Sequence, residues 1–182
     1  MQLNRVNNPP SDAVDLTWSI VREAQRQVPH LLDGVIVVPA LDLPLSDPIH
    51  TSPAGNLVLA GRLAQAVLGA VHGRDVPYLA PDVTSARRGD DGSIVVSFAN
   101  VVSRIDTIDL TSRPFVVEDY DGFVPVLETT YPGDETVVLT LGRTPLDGAR
   151  VHGAFGAAPS PVPLDIERSL PILGFYGFPV EP

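Results

Sequence analysis

Gly34-Val35-Ile36-Val37-Val38-Pro39 is a continuous β-branched run held between two chain-breaking residues. A run with no polar alternation fits a strand covered on both faces, as in a parallel sheet flanked by helices. The loop Leu45-Ser46-Asp47-Pro48-Ile49-His50 follows, and beyond it Ser52 stands as an N-cap with Pro53 at the first helical position. From there Ala60, Leu63, Ala64, Val67 and Val71 line one face as far as Gly73, so the unit reads strand, loop, helix.

The same alternation precedes it. Residues 2–6 are a short strand candidate, and Asn7-Asn8-Pro9-Pro10 is a polar loop. Ser11 or Asp12 can cap a helix in which Val14, Trp18, Val21, Gln25 and Val28 recur at helical spacing. That stripe is expected to face a core, with Arg22, Glu23 and Arg26 toward water and Pro29 ending the helix. Residues 1–76 therefore read as an α/β unit.

Beyond Pro77 helical periodicity disappears. Ile94, Val96 and Phe98 alternate with Val95, Ser97 and Ala99 after a turn at Gly89-Asp90-Asp91-Gly92, and Val137, Leu139 and Leu141 share a face after Pro132-Gly133-Asp134. Residues 105–110, 115–118, 123–128 and 151–155 are further strand candidates. Residues 77–182 thus predict an antiparallel β-sandwich of about seven strands, with the Pro-rich stretch 157–163 as an ordered loop over the surface. The fold class expected is α/β plus all-β.

Composition narrows the function classes. A net charge of −10 opposes phosphate backbones and anionic lipid, so neither a nucleic acid nor a membrane partner is expected. The absence of cysteine excludes disulfides, thiolate zinc sites and a cysteine nucleophile. Met1-Gln2-Leu3-Asn4-Arg5 lacks the apolar core of a signal peptide, so no export signal is expected here, and the compartment stays open.

Asp47 and His50 are the residues best placed for chemistry. A carboxylate three residues before a histidine can accept a hydrogen bond from the imidazole Nδ1–H and leave Nε2 free to take a serine proton. The spacing alone is also met in solvated loop pairs. Its surroundings add weight: Gln2-Leu3, Trp18, Arg22-Glu23-Ala24-Gln25, the apolar run, Asp47-Pro48-Ile49-His50 and Gly61-Arg62-Leu63-Ala64 follow in an order that resembles the sialate O-acetylesterase family of SGNH hydrolases. Phe115, Asp121-Gly122, Phe123-Val124-Pro125, residues 137–141, Leu170-Pro171 and Phe175 resemble that family's carboxy-terminal accessory domain.

The resemblance implies a three-layer α/β/α sheet of which residues 1–76 are the carboxy-terminal part. It also implies Asp47 and His50 as the acid and base of a Ser-His-Asp triad, and O-acetylated carbohydrates as substrates. In the family the nucleophile lies in a Gly-x-Ser block, and a glycine and an asparagine help form the oxyanion hole, all upstream of the segment matched. Ser11 and Ser52 are caps, Ser93, Ser97 and Ser103 lie in the β region, and neither Asn4 nor Asn56 matches the asparagine block. The expectation is a carboxy-terminal part inactive alone, with an amino-terminal half carrying the nucleophile as its partner. The alternative is an inactive remnant acting as a glycan- or protein-binding module.

No cofactor or metal is expected. His30 and His72 stand near helix ends, and His152 alternates within a strand with no ligand set around it. Glu118-Asp119-Tyr120-Asp121-Gly122 lacks the ligand spacing of a calcium loop and reads as a hairpin turn. Trp18 reads as core, and Arg87-Arg88 is too short for an anion site.

Overall fold

A computed structural model of the chain describes residues 1–7, 11–109, 113–159 and 161–182. Asn8-Pro9-Pro10 of the polar loop, Leu110 at the end of one strand candidate and Ser160 of the Pro-rich stretch lie outside the described residues. Helix α1 spans Asp12–Leu31 and α2 spans Pro53–Ala70. Among the described residues eleven strands follow: β1 (Asp82–Arg88), β2 (Ile94–Ala99), β3 (Ile105–Asp106), β4 (Phe115–Asp119), β5 (Gly122–Val124), β6 (Val126–Thr130), β7 (Thr136–Leu141), β8 (Arg150–Gly153), β9 (Leu164–Asp165), β10 (Leu170–Pro171) and β11 (Phe175–Pro179).

The strands form three antiparallel sheets, ordered β1-β2-β7-β6, β10-β9-β3 and β11-β8-β4-β5. The inward residues of the two four-stranded sheets share one core, including Ile94, Val96, Val137 and Leu139 from the first and Phe115, Val117, Val151 and Phe175 from the other. Three rings meet at its centre, Phe98, Phe115 and Phe175, with centroids 6.3 to 6.4 Å apart and tilted as aromatic quadrupoles prefer.

Strand alternation is legible where the sequence alternates, but the count of about seven is too low. The candidate over residues 123–128 splits at Pro125 into β5 and β6, which belong to different sheets. Proline cannot donate to a ladder, and the chain changes partners there. The Pro-rich stretch does not cross the surface: Ala157, Pro159, Val162 and Pro163 are buried.

Both helices depart from their periodicity. Pro29 lies inside α1, which continues to Leu31, because one missing N–H near the end still leaves Leu32 N–H to bond Val28 O at 2.9 Å. The face of α1 that is buried carries Ser19, Arg22 and Arg26, while Leu16, Ile20 and Val21 are exposed. Arg22 was expected in water and is instead fully buried, because backbone carbonyls satisfy its guanidinium. It donates to Leu3 O, Asn4 O and Ala157 O at 3.1 Å each, and to Gly156 O. Gln2 completes the seam, donating to Arg22 O at 3.1 Å and Gly174 O at 2.8 Å and accepting from Gly174 N–H at 2.8 Å.

In α2 only Gly55 and Ala66 are buried, so the stripe of Ala60, Leu63, Ala64, Val67 and Val71 faces outward. Residues 35–38 form no strand. Among the described residues they enter no ladder, and a single backbone bond, Gln2 N–H to Val38 O at 2.8 Å, joins them to residues 2–6. Residues 2–6 form no strand either, although Gln2, Asn4 and Val6 are buried in alternation.

Candidate active site

The loop bearing Asp47 and His50 is closed at its base by a bridge between Leu45 and Thr51 and by Ser46 N–H donating to His50 O at 2.8 Å. Ser52 N–H donates to Pro44 O at 2.8 Å, and Ser52 Oγ accepts Gly55 N–H at 3.1 Å, so the loop passes directly into a capped α2. Gly55 is needed at that junction: a Cβ there would lie 2.7 Å from Thr51 Cγ2 and 2.9 Å from Pro44 O. The amino-terminal segment holds the loop from the other side, through Asn7 N–H to Pro48 O at 2.8 Å and Asn4 Nδ2 to Thr51 Oγ1 at 2.9 Å.

Within this frame Asp47 has two tasks. Its Oδ1 accepts the backbone N–H of Ile49 at 2.9 Å and of His50 at 2.8 Å, and its Oδ2 faces His50 Nδ1 at 2.7 Å. The backbone donors, with the imidazole after them, hold the Asp47 carboxyl down to a pKa of about 2. The pair therefore comes together as the spacing predicts, and it is open to solvent, with the His50 side chain 70% exposed. Donation from Nδ1–H to Asp47 leaves Nε2 as the basic nitrogen, pointing away from the carboxylate with no partner among the described residues.

No serine hydroxyl among the described residues bonds Nε2. Ser46 Oγ donates to His50 O at 3.2 Å, and Ser103 Oγ donates to Asp165 at 2.8 Å. Ser52 caps α2, whereas Ser11 occupies the N-cap position of α1 without a side-chain cap bond.

Sequence reasoning missed what positions the loop. Arg62 makes a bidentate pair with Asp42, at 2.7 and 2.6 Å, and also donates to Pro39 O at 3.1 Å and Ser169 O at 3.0 Å. The side chain thereby ties α2 to the segment leading into the loop. Its place in Gly61-Arg62-Leu63-Ala64 was the only signal, and nothing in the sequence pairs it with Asp42.

His30 and His152 take structural places, and His72 is exposed just beyond α2. His30 Nε2 meets Asp82 Oδ2 at 3.0 Å, and His152 is buried in β8, stacked on Tyr176 at 4.4 Å. Residues 118–122 form the β4–β5 hairpin, where Asp119 is held by Arg143. Trp18 is partly buried with the Arg22 guanidinium 5.8 Å from its ring centroid, Arg87 pairs with Glu181 and Arg88 with Asp147. No cluster of three His, Cys, Asp or Glu side chains among the described residues could hold a metal ion, and no described helix is long and apolar enough to cross a membrane.

Among solved structures, the chain is similar to XAC1771, a novel carbohydrate acetylesterase from Xanthomonas citri, with a TM-score of 0.77 and 21% identity over 96% of this chain and 39% of that one. The chain thus spans about two fifths of the length of that protein, and the likeness is one of fold. Two structures of the bacterial S-layer protein SbsC align at TM-scores of 0.35 and 0.39, with 20% and 17% identity over 57% and 71% of this chain and 24% and 16% of theirs, too low to carry weight. No protein-family model matches the chain, and no curated protein matches it.

Proposed function

We propose that the chain is the part of a carbohydrate O-acetylesterase that supplies the acid and base of a Ser-His-Asp triad, with the nucleophilic serine and the oxyanion donors coming from a further polypeptide segment. The observation that carries this reading is the 2.7 Å contact between Asp47 Oδ2 and His50 Nδ1 beside an unengaged Nε2. The fold shared with a carbohydrate acetylesterase supports it. His50 Nε2 would take the proton of the serine hydroxyl as its oxygen attacks the acetyl carbonyl, then pass it to the departing sugar oxygen. In the second half-reaction it would take a proton from water as the water oxygen attacks the acyl-serine carbonyl, and return it to the serine oxygen as the ester bond breaks and acetate departs, with Asp47 stabilising the imidazolium each time it forms.

Resemblance to sialate O-acetylesterases supports the finer assignment: residues 1–76 as the carboxy-terminal part of a three-layer SGNH sheet, and residues 77–182 as a β-sandwich accessory domain. A net charge of −10 does not attract an anionic sugar such as sialic acid unless a local cationic pocket intervenes, so a neutral acetylated polysaccharide such as xylan fits at least as well.

The test is hydrolysis of p-nitrophenyl acetate. The chain alone should show background rates, its nucleophile-bearing complement should restore turnover, and His50→Ala should abolish that turnover. Activity that survives His50→Ala would overturn the assignment.

A further inference from the structure

The His50 side chain is 70% exposed and that of Asp47 47%, and an ion pair so open to water is too weak by itself to hold the imidazole in one orientation and one tautomer. The backbone that carries the ring must supply the rest. Within the loop, Asp47 Oδ1 and the bridge between Leu45 and Thr51 order that backbone, but both belong to the exposed segment they organise. Among the described residues, two hydrogen bonds reach the loop from residues 1–7. Asn7 N–H to Pro48 O comes from an exposed residue, whereas Asn4 Nδ2 to Thr51 Oγ1, at 2.9 Å, comes from a residue only 7% exposed.

Thr51, which directly follows His50, is gripped on both branches. Its Oγ1 accepts from Asn4, and its Cγ2 lies 2.7 Å from where a Cβ on Gly55 would stand, so the methyl fills the space that glycine leaves. A β-branched side chain held at both γ atoms keeps one χ1, which fixes the backbone beside His50. Asn4 is equally constrained. Its Oδ1 accepts Arg5 N–H at 2.8 Å, which turns Nδ2 toward Thr51, and its backbone O accepts from the buried Arg22 guanidinium at 3.1 Å. The same guanidinium holds Ala157 O at 3.1 Å, so a line of fixed groups runs from residue 157 through Arg22 and Asn4 to Thr51.

We propose that Asn4 and Thr51 are positioning residues for His50: their hydrogen bond fixes the backbone beside the imidazole, so that Nδ1–H stays on Asp47 Oδ2 and Nε2 stays the basic nitrogen. A neutral imidazole carries its proton on either nitrogen, and the hydrogen bond that the ring makes selects which one. A loop that lets the ring swing away from Oδ2 loses that selection. That Nε2 then takes a serine proton rests on the function proposed above, whereas the selected tautomer does not.

The experiment reads the tautomer from the nitrogen NMR shifts of the His50 ring in the full chain, at alkaline pH where the imidazole is neutral. Thr51→Val keeps the branched shape and removes the acceptor; it should lower the ratio of the Nδ1–H to the Nε2–H form about fivefold, the equilibrium weight of one hydrogen bond. Thr51→Ser keeps the hydroxyl and should retain most of the native ratio. A purely structural pair would lower the melting temperature and leave the ratio unchanged, and that result overturns the inference. Equal changes in Thr51→Val and Thr51→Ser overturn it as well. Where Thr51→Val is too unstable to assign, because Asn4 Nδ2 is left buried without its partner, Asn4→Leu/Thr51→Val removes both members of the bond and is held to the same fivefold fall. A ratio that responds as expected, in a chain whose nucleophile-bearing complement restores no His50-dependent hydrolysis of p-nitrophenyl acetate, upholds the positioning and defeats the proposed function. His50-dependent hydrolysis beside a ratio indifferent to Thr51→Val does the reverse.

Discussion

Asp47 faces His50 twice: its Oδ2 lies 2.7 Å from the imidazole Nδ1, and its Oδ1 accepts the His50 backbone N–H at 2.8 Å. One carboxylate therefore fixes both the path of the loop and the orientation of the ring it carries. Replacing it disturbs geometry and electrostatics together, and titration can read the two through the same group.

The Asp47 carboxyl, held down to about 2 from an ordinary 3.8, is ionised throughout the neutral range. Its folded pKa is depressed, so its contribution to the loop is full above about 4 and is lost as pH falls toward 2. Amide proton shifts of Ile49 and His50, followed by NMR from pH 5 downward, should move together with a midpoint near 2. Asp47→Asn should remove that transition, since an amide keeps the Oδ1 acceptor but does not titrate. A midpoint at or above 3.8 would show that the backbone donors do not hold the carboxylate.

Arg22 joins four carbonyls from two distant parts of the chain, and burial lowers its pKa to about 10 against the opposing field of Asp15. Arg22→Met removes every donor and leaves Leu3 O, Asn4 O and Gly156 O without that partner, each at a cost of about 1–3 kcal/mol before relaxation, whereas Ala157 O keeps the Val6 N–H at 2.9 Å. Urea unfolding should show a loss of about 3 kcal/mol or more, and Arg22→Lys should recover only part of it because a single ammonium lacks the planar fork. A loss under about 1 kcal/mol would mean that water replaces the guanidinium.

The contrast between these two sites explains what could be read in the sequence. Asp47 and His50 were legible because their geometry is local: three residues of spacing decide it. The β2 and β7 strands were legible because period-2 alternation survives in Ile94, Val96, Phe98 and in Val137, Leu139. Arg22 was misplaced because apolar periodicity cannot register a buried cation whose partners, Gly156 and Ala157, lie more than a hundred residues away. The α2 residues that line one face and the β-branched run 35–38 are legible as a helix face and as a strand candidate, but no described element covers the one or pairs with the other in a ladder. Strand β11 escaped because Gly177, with φ of +72°, breaks alternation within Phe175–Pro179.

Gly153 in β8 touches the centre of the core. A Cβ added there would sit 2.1 Å from Phe175 Cε1, inside the packed triad of Phe98, Phe115 and Phe175. Gly153→Ala should therefore cost about 1–3 kcal/mol by overpacking. Combined with Phe175→Leu, which vacates part of that space, the losses should be less than additive by roughly 1 kcal/mol in a double-mutant cycle. Strict additivity would show that the ring moves aside freely.

His152 supplies a separate pH dependence. Its Nδ1 accepts Gly177 N–H at 2.9 Å, its ring stacks on Tyr176 at 4.4 Å, and its Nε2 lies 3.2 Å from Glu118. Burial lowers its pKa below 6.5, and the attraction of Glu118 offsets this only in part. The unfolded chain therefore takes up a proton near pH 6.5 that the folded chain refuses, so stability falls as pH drops below that value. The slope reaches at most about 1.4 kcal/mol per pH unit for one proton. Urea midpoints measured between pH 7 and 5 should decline in the native chain and decline less in His152→Asn, whose amide oxygen can accept Gly177 N–H without titrating. If the two slopes coincide, the acid sensitivity in this range arises elsewhere, and His152 is protonated in the fold as readily as in the open chain.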